Sequence, residues 1–79
     1  MNEKLKLALE ELHDELKRIG PDNPKLQMLQ EKTARAIEAG EHLPLVDDLK
    51  EASEEFEVRH PQLTALINNV MNSLSALGI

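Results

Sequence analysis

The 79-residue sequence contains no cysteine, no tryptophan, no tyrosine and one phenylalanine. Without cysteine there is no disulfide, no thiolate zinc site and no thiol nucleophile. The sequence has no run of about 18 uninterrupted apolar residues, so we expect no membrane-spanning segment. The first six residues, Met1-Asn2-Glu3-Lys4-Leu5-Lys6, lack the apolar core of a signal peptide. These absences predict a soluble, cytoplasmic protein.

Basic residues are scarce: nine lysines and arginines stand against fifteen acidic residues, for a net charge of −6. Nucleic-acid affinity comes mostly from neutralising phosphates, so we expect neither nucleic acid nor an anionic membrane as a partner. A small nucleic-acid-associated regulator is the alternative. It would need a basic surface made from Lys4, Lys6, Lys17, Arg18, Lys25, Lys32 and Arg35.

The chain is long enough for one domain, residues 1–79, because two independent cores would need more residues. A core of this size rarely yields more than roughly 3–5 kcal/mol of net stability by itself. Association with a second copy would bury more surface, so we expect an oligomer, with a homodimer as the simplest form.

All three glycines and all four prolines lie between segments of helical periodicity or at their ends. Glycine suits the left-handed residue after a helix, and proline suits the first helical turn. This arrangement predicts an all-α fold, a compact bundle of four short helices at about residues 3–19, 24–39, 45–59 and 61–77.

Each predicted helix has one apolar face, and the faces of the first and fourth are the clearest. The first consists of Leu5, Leu9, Leu12, Leu16 and Ile19. The thin second face consists of Leu26, Leu29, Thr33, Ala36 and Ile37, and the third of Leu45, Leu49, Ala52 and Phe56 with Val46 alongside. The fourth consists of Leu63, Ile67, Val70, Leu74 and Leu77, widened by Leu66 and Met71.

His60 and Pro61 separate the last two helices and are the candidate structural corner. A residue before proline is biased away from the helical region. The sequence leaves open whether this junction is a tight corner or a kink in one long helix. A ring nitrogen of His60 could accept a backbone N–H at the start of the fourth helix or bond to the end of the third, and could thereby make folding or association sensitive to pH.

Residues 60–79 contain no Asp, Glu, Lys or Arg. The side of the fourth helix opposite its apolar face carries small or neutral groups instead, namely Ala65, Asn68, Asn69, Asn72, Ser75 and Ala76. We expect this helix to be central or to contact a second subunit; a neutral exposed flank is the alternative. Three Asn and two Ser in this helix argue against insertion into a membrane. The candidate interface is Leu63, Leu66, Ile67, Val70, Met71, Leu74 and Leu77.

Two Glu-x-x-His spacings, Glu10 with His13 and Glu57 with His60, are typical of di-iron carboxylate bundles. The fourth helix offers no carboxylate, and Glu10 points away from the apolar face of its own helix. We therefore expect no metal site, no cofactor and no catalytic residue. His13 is interpreted as a boundary residue that packs against a neighbouring helix, and His42 lies in a loop. The acidic run Glu54, Glu55 and Glu57 could dock a basic partner.

Two segments of the sequence resemble those of a bacterial family of short uncharacterised proteins, a domain of unknown function. The first runs from Leu9 to Leu16 (LEELHDEL). The second runs from Phe56 to Thr64 (FEVRHPQLT), followed by Leu66, Val70 and the ending LSALGI. The resemblance implies an all-helical fold and no assigned activity. It places His13 and His60-Pro61 inside the family's segments.

The sequence does not define a biological function. We predict a non-enzymatic helical protein that self-associates and acts as a protein–protein interaction module. The uncharged fourth helix is the feature on which this prediction depends.

Overall fold

The glycines and prolines divide the chain where the periodicity indicates. A computed structural model contains four α-helices: α1 Glu3–Ile19, α2 Pro24–Ala39, α3 Leu43–Phe56 and α4 Pro61–Ala76. The structure describes residues 3–20, 24–40 and 43–78, and these contain no strand. The predicted all-α fold of four helices is confirmed. The bounds of α1 and α2 match; α3 begins two residues earlier and ends three earlier than predicted, and α4 ends one residue earlier.

The helices form an antiparallel bundle in which each helix contacts two neighbours. α1 packs on α2 and α4, while α3 packs on α4 and less extensively on α2. Ion pairs between α2 and α3 join Lys25 to Glu51 and Lys32 to Asp48. Because the residue numbers increase on α2 and decrease on α3, the two helices run antiparallel. The resulting body measures 30 × 21 × 18 Å. The predicted compact bundle is therefore confirmed.

The core is aliphatic apart from Phe56, and the predicted apolar faces supply it; Leu77, which the periodicity also predicted there, is instead 43% exposed. Ile19, Ile37, Val46, Leu66 and Met71 pack against its edge. α2 contributes few large side chains, as its thin apolar face predicted. The buried apolar residues are Leu5, Ala8, Leu9, Leu12, Leu16, Leu26, Leu29, Ala36, Leu45, Leu49, Ala52, Phe56, Leu63, Ile67, Val70 and Leu74.

The junction between α3 and α4 is a tight corner rather than a kink. The backbone of His60 has φ −134° and ψ 69°, outside the helical region, and residues 57–59 form a turn. The His60 N–H donates to the Phe56 carbonyl at 2.8 Å, and the His60 carbonyl accepts from the Thr64 N–H at 3.0 Å. The backbone of His60 therefore makes the last hydrogen bond of α3 and the first of α4.

The side chain of His60 does not cap α4, so the suggested capping role of its ring is wrong. The ring instead packs edge-on against Phe56, with 5.8 Å between the ring centroids. Phe56 is buried, and this contact covers the end of the core at the corner. His60 and Pro61 therefore form a corner through backbone hydrogen bonds and ring packing.

Candidate functional site on helix α4

The outward side of α4 carries no charged side chain. Its six residues, which we call the charge-free face, are all exposed: Ala65, Asn68, Asn69, Asn72, Ser75 and Ala76. No helix of the described chain covers them. The expectation that α4 is central, with both sides covered, is therefore wrong for the single chain. Contact with a second copy stays a prediction.

The predicted interface residues divide into two groups. Leu63, Ile67, Val70 and Leu74 are buried in the protein's own core, because the apolar side of α4 faces α1 and α3. Leu66 and Met71 are half-buried at the core edge, and Leu77 is 43% exposed. Within the folded chain, a surface contact can use only the second group, together with the charge-free face.

One residue of the charge-free face is tied to the neighbouring helix. The Ser53 hydroxyl of α3 donates to Asn68 Oδ1 at 3.2 Å. This bond fixes the carbonyl side of the Asn68 amide. Asn68 is thereby held at the edge of the face that lies nearest α3.

Two depressions flank the C-terminal half of α4, and each contains a lysine. The first, of about 300 Å³, lies between the start of α1 and α4; it is lined by Lys4, Asn69, Asn72, Ser73, Ala76 and Leu77. The second, of about 200 Å³, lies between α3 and α4; it is lined by Val46, Lys50, Met71, Leu74 and Ser75. The charge-free face is therefore bordered by a cation on both sides at this end.

A buried carboxylate lies near the opposite end of α4. The Glu15 side chain is 8% exposed, and its two oxygens accept from Arg18 Nε at 2.9 Å and Arg18 Nη2 at 2.6 Å. The pKa of Glu15 lies below its ordinary value of 4.5, chiefly because Arg18 hydrogen-bonds the charged form. Burial acts in the opposite direction, and the charges of Arg18 and His60 lower the pKa further.

Thr64 lies one turn into α4, and its hydroxyl is buried. Thr64 Oγ1 has no hydrogen-bond partner among the residues that the structure describes. The side chain lies in the interior of the bundle, and nothing places its hydroxyl beside an acid–base pair. Thr64 is therefore a packing residue, and the burial of its unpaired hydroxyl lowers the stability of the fold.

His13 is half-buried and bonds α1 to α2, as expected for a boundary residue. Its Nδ1 lies 2.9 Å from Thr33 Oγ1, and the Thr33 hydroxyl donates to the Gln30 carbonyl at 3.0 Å. Because the hydroxyl has one proton, Nδ1–H of His13 must be the donor to Thr33. His42 lies outside the described residues.

The carboxylates and histidines that the structure describes do not gather into a metal centre. In residues 3–20, 24–40 and 43–78, no three side chains of the types His, Cys, Asp and Glu are placed to hold an ion. Glu10 and Glu57 of the two Glu-x-x-His spacings are both exposed. Those spacings therefore do not define a site.

Carboxylates pair with several of the residues named for a basic surface. Arg18 pairs with Glu15, Lys25 with Glu51 and Lys32 with Asp48. Each pair cancels charge that a phosphate backbone would require. None of the helices in the described part of the chain combines the length and apolar character that a membrane crossing requires.

The fold and its surface define a class: a small antiparallel four-helix bundle with one uncharged outer helix face. The chain belongs to the family described as "Domain of unknown function (DUF4404)", whose match covers residues 3–79. Comparisons with curated proteins and with solved structures return no significant match. Membership agrees with the resemblance noted from the sequence and assigns no activity.

Sequence reasoning missed two residues at this surface. Glu15 was not expected in the interior, although on the helical wheel it lies about 60° beyond Leu12, at the edge of the apolar stripe. Lys50 was not singled out, because one lysine on a charged helix gives no signal of its own. Only the packing of α3 on α4 places it beside Met71 and Ser75.

Proposed function

We propose that this protein is a non-enzymatic interaction module that self-associates as a homodimer through the charge-free face of α4. The observation that carries the proposal is an exposed helix face without any charge in a chain in which 30% of the residues are charged. A solvated helix face normally carries charged groups. Charged residues are depleted at the centre of contact surfaces.

Electrostatics favour this face for pairing of identical chains. In a two-fold dimer the same patch occurs on both subunits, so any charge at its centre lies close to its own copy. Each chain has a net charge of −6, and every charged residue precedes residue 60. The charge-free face is the surface on which two copies can approach with least repulsion.

The absence of an enzymatic role is part of the proposal. Glu15 is held by Arg18, His13 by Thr33, and His60 packs on Phe56. Each of these titratable side chains is thus engaged in a structural contact. We also propose that the protein is cytoplasmic and that the dimer binds a further protein partner.

Sedimentation equilibrium of the wild type and of Asn72→Glu tests the proposal. We expect the wild type to dimerise and Asn72→Glu to weaken dimerisation by about tenfold or more, because the new carboxylate would lie near its own copy and like charges facing each other are costly. Asn72 is exposed, and glutamate has a higher helix propensity than asparagine, so the fold is expected to persist. Far-ultraviolet circular dichroism checks this.

The matched control is Gln27→Glu, which adds the same charge at an exposed position of α2. We expect this control to dimerise like the wild type. A wild type that stays monomeric at high concentration would contradict the proposal. An equal loss of dimer in both variants would show that net charge, not the face, governs association.

A further inference from the structure

The charges that border the charge-free face form an ordered pattern along α4, which bears on how a second copy sits on it. We propose that the second copy docks antiparallel, α4 against α4, with Lys4 and Lys50 of each chain facing Glu11 and Glu57 of the other. This inference rests on the proposed self-association and adds its orientation.

The two lysines lie at one end of the face. Lys4 of α1 borders it beside Asn72 and Ala76, and Lys50 of α3 borders it beside Met71 and Ser75. The α4 residues beside the two lysines all lie in the C-terminal half of that helix. The lysines therefore flank the same end of the face from opposite sides.

Two carboxylates occupy the other end. Glu11 follows Lys4 by seven residues, which is about two helical turns or roughly 10 Å along the same side of α1. Because α1 and α4 are antiparallel, this step leads towards the start of α4. Glu57 also follows Lys50 by seven residues and lies one residue beyond the end of α3, in the turn before α4; both glutamates are exposed. Glu15 shares this flank of α1, where Arg18 neutralises it.

This polarity selects one of two symmetric arrangements. A parallel pair would bring lysine near lysine and glutamate near glutamate. An antiparallel pair inverts one copy, so the cationic end of each flank meets the anionic end of the other copy's flank. Opposite charges then meet on both sides of the face, and complementarity of this kind fixes orientation and suppresses wrong arrangements.

Four of the six residues of the charge-free face read the same in both directions. Ala65, Asn69, Asn72 and Ala76 are separated by four, three and four residues. An antiparallel copy therefore places alanine against alanine and amide against amide at the same level. Each amide can both donate and accept a hydrogen bond, so facing asparagines satisfy one another.

The required area agrees with this footprint. A stable interface buries about 800 Å² on each partner, about a sixth of the 4942 Å² accessible surface of the chain. A contact of that size extends beyond one helix face onto the bordering residues of α1 and α3. The lysines and glutamates therefore fall within the buried region or at its rim.

The absence of cysteine makes orientation directly measurable. We would introduce Ala65→Cys and Ala76→Cys in separate chains, both at exposed positions, and oxidise each alone and in an equimolar mixture. Disulfides need Cα atoms about 4.4–6.8 Å apart. In an antiparallel dimer, position 65 lies opposite position 76 and about 16 Å from its own copy along the axis. We therefore expect cross-linking only in the mixture.

Any other result of the cross-linking experiment would contradict the antiparallel arrangement. Rapid disulfide formation by Ala65→Cys alone would indicate a parallel dimer. A dimer by sedimentation that forms no cross-link in any sample would place the contact on another face. A monomer at every concentration would overturn the proposed function itself, which sedimentation reports separately from orientation.

A charge reversal gives a second, independent test. Lys50→Glu and Glu57→Lys each place like charges together in their own antiparallel dimer, whereas a mixed dimer restores opposite charges at both positions. At low salt we expect the mixed dimer to form about tenfold more tightly than either homodimer, and this preference to fall as salt rises. Equal affinities of the mixed and single-variant dimers would overturn the arrangement.

Discussion

Two threonines lie inside the bundle in opposite hydrogen-bonding situations. The Thr33 hydroxyl donates to Gln30 and accepts from His13, whereas Thr64 Oγ1 has no partner among the described residues. A buried polar group stabilises when it is paired and costs free energy when it is not. The same change of threonine to valine should therefore have opposite signs at the two positions.

We expect Thr64→Val to raise the free energy of unfolding by about 1 kcal/mol, because it removes an unpaired hydroxyl at nearly constant volume. Thr33→Val should lower it by about 1 kcal/mol, since Nδ1–H of His13 loses its acceptor. Urea unfolding followed by circular dichroism measures both. The prediction is wrong if Thr64→Val destabilises as much as Thr33→Val.

Glu15 predicts a pH dependence of stability. Its pKa in the folded state is lowered, chiefly by the Arg18 hydrogen bond, so its stabilising contribution is complete above its ordinary value of 4.5. The contribution is lost as the pH falls through the lowered pKa, because protonation then costs the folded state its charged hydrogen bonds. Above pH 4.5, Glu15→Gln should therefore melt at a lower temperature than the wild type.

Thermal melts at a series of pH values provide the measurement for Glu15. The difference between the wild type and Glu15→Gln should shrink steadily as the pH falls below 4.5. Glu10→Gln, at an exposed position of the same helix, is the control and should follow the wild type closely. A difference that stays constant down to acid pH would assign the effect of Glu15→Gln to packing rather than charge.

At the scale of the element, glycine determines where α2 ends. Gly40 has φ +72°, and its N–H donates to the Ala36 carbonyl at 3.0 Å. A Cβ added there would meet no atom within 4 Å. The glycine is therefore required by the left-handed backbone and not by space.

We expect Gly40→Ala to lower the free energy of unfolding by about 1 kcal/mol, since an L-residue is strained in the left-handed region. Gly40→Asn should cost less, because asparagine tolerates that conformation better. Chemical denaturation of the two variants beside the wild type gives the order. Equal losses for alanine and asparagine would contradict the backbone explanation.

The elements were predictable because their signals are local. The spacing of Leu5, Leu9, Leu12 and Leu16 and the glycine after α1 depend only on neighbouring residues. The start of α3 was placed too late because the segment before it shows no clear capping residue. Its end was placed too late because the turn at 57–59 forms only where His60 folds back onto Phe56.

The candidate site was predictable only in composition. The sequence identifies which residues of α4 lack charge, but it cannot tell whether other helices cover them. The periodicity places Glu15 only at the edge of the apolar stripe; its burial, like the position of Lys50 beside α4, follows from helix packing. The structure adds that Asn69 and Asn72 are exposed, so the uncharged residues of α4 form a surface that experiments can test.

At the scale of the whole molecule, the small aliphatic core and the charge-free face bear on the same property. A core of this size gives only a few kcal/mol on its own. A second copy that binds the folded chain and not the unfolded one adds stability by mass action. The melting temperature of the wild type should therefore rise with protein concentration, because each tenfold increase stabilises the folded dimer by about 1.4 kcal per mole of dimer.

Melting curves at several concentrations test this for the wild type, Asn72→Glu and Gln27→Glu. Gln27→Glu should show the same dependence on concentration as the wild type. Asn72→Glu should melt at the temperature that the wild type shows at an about tenfold lower concentration, or lower still, because the variant weakens association and leaves the monomer intact. A wild type whose melting temperature is the same at all concentrations would mean that the bundle is stable alone, and that the uncharged face of α4 is an exposed flank without a partner copy.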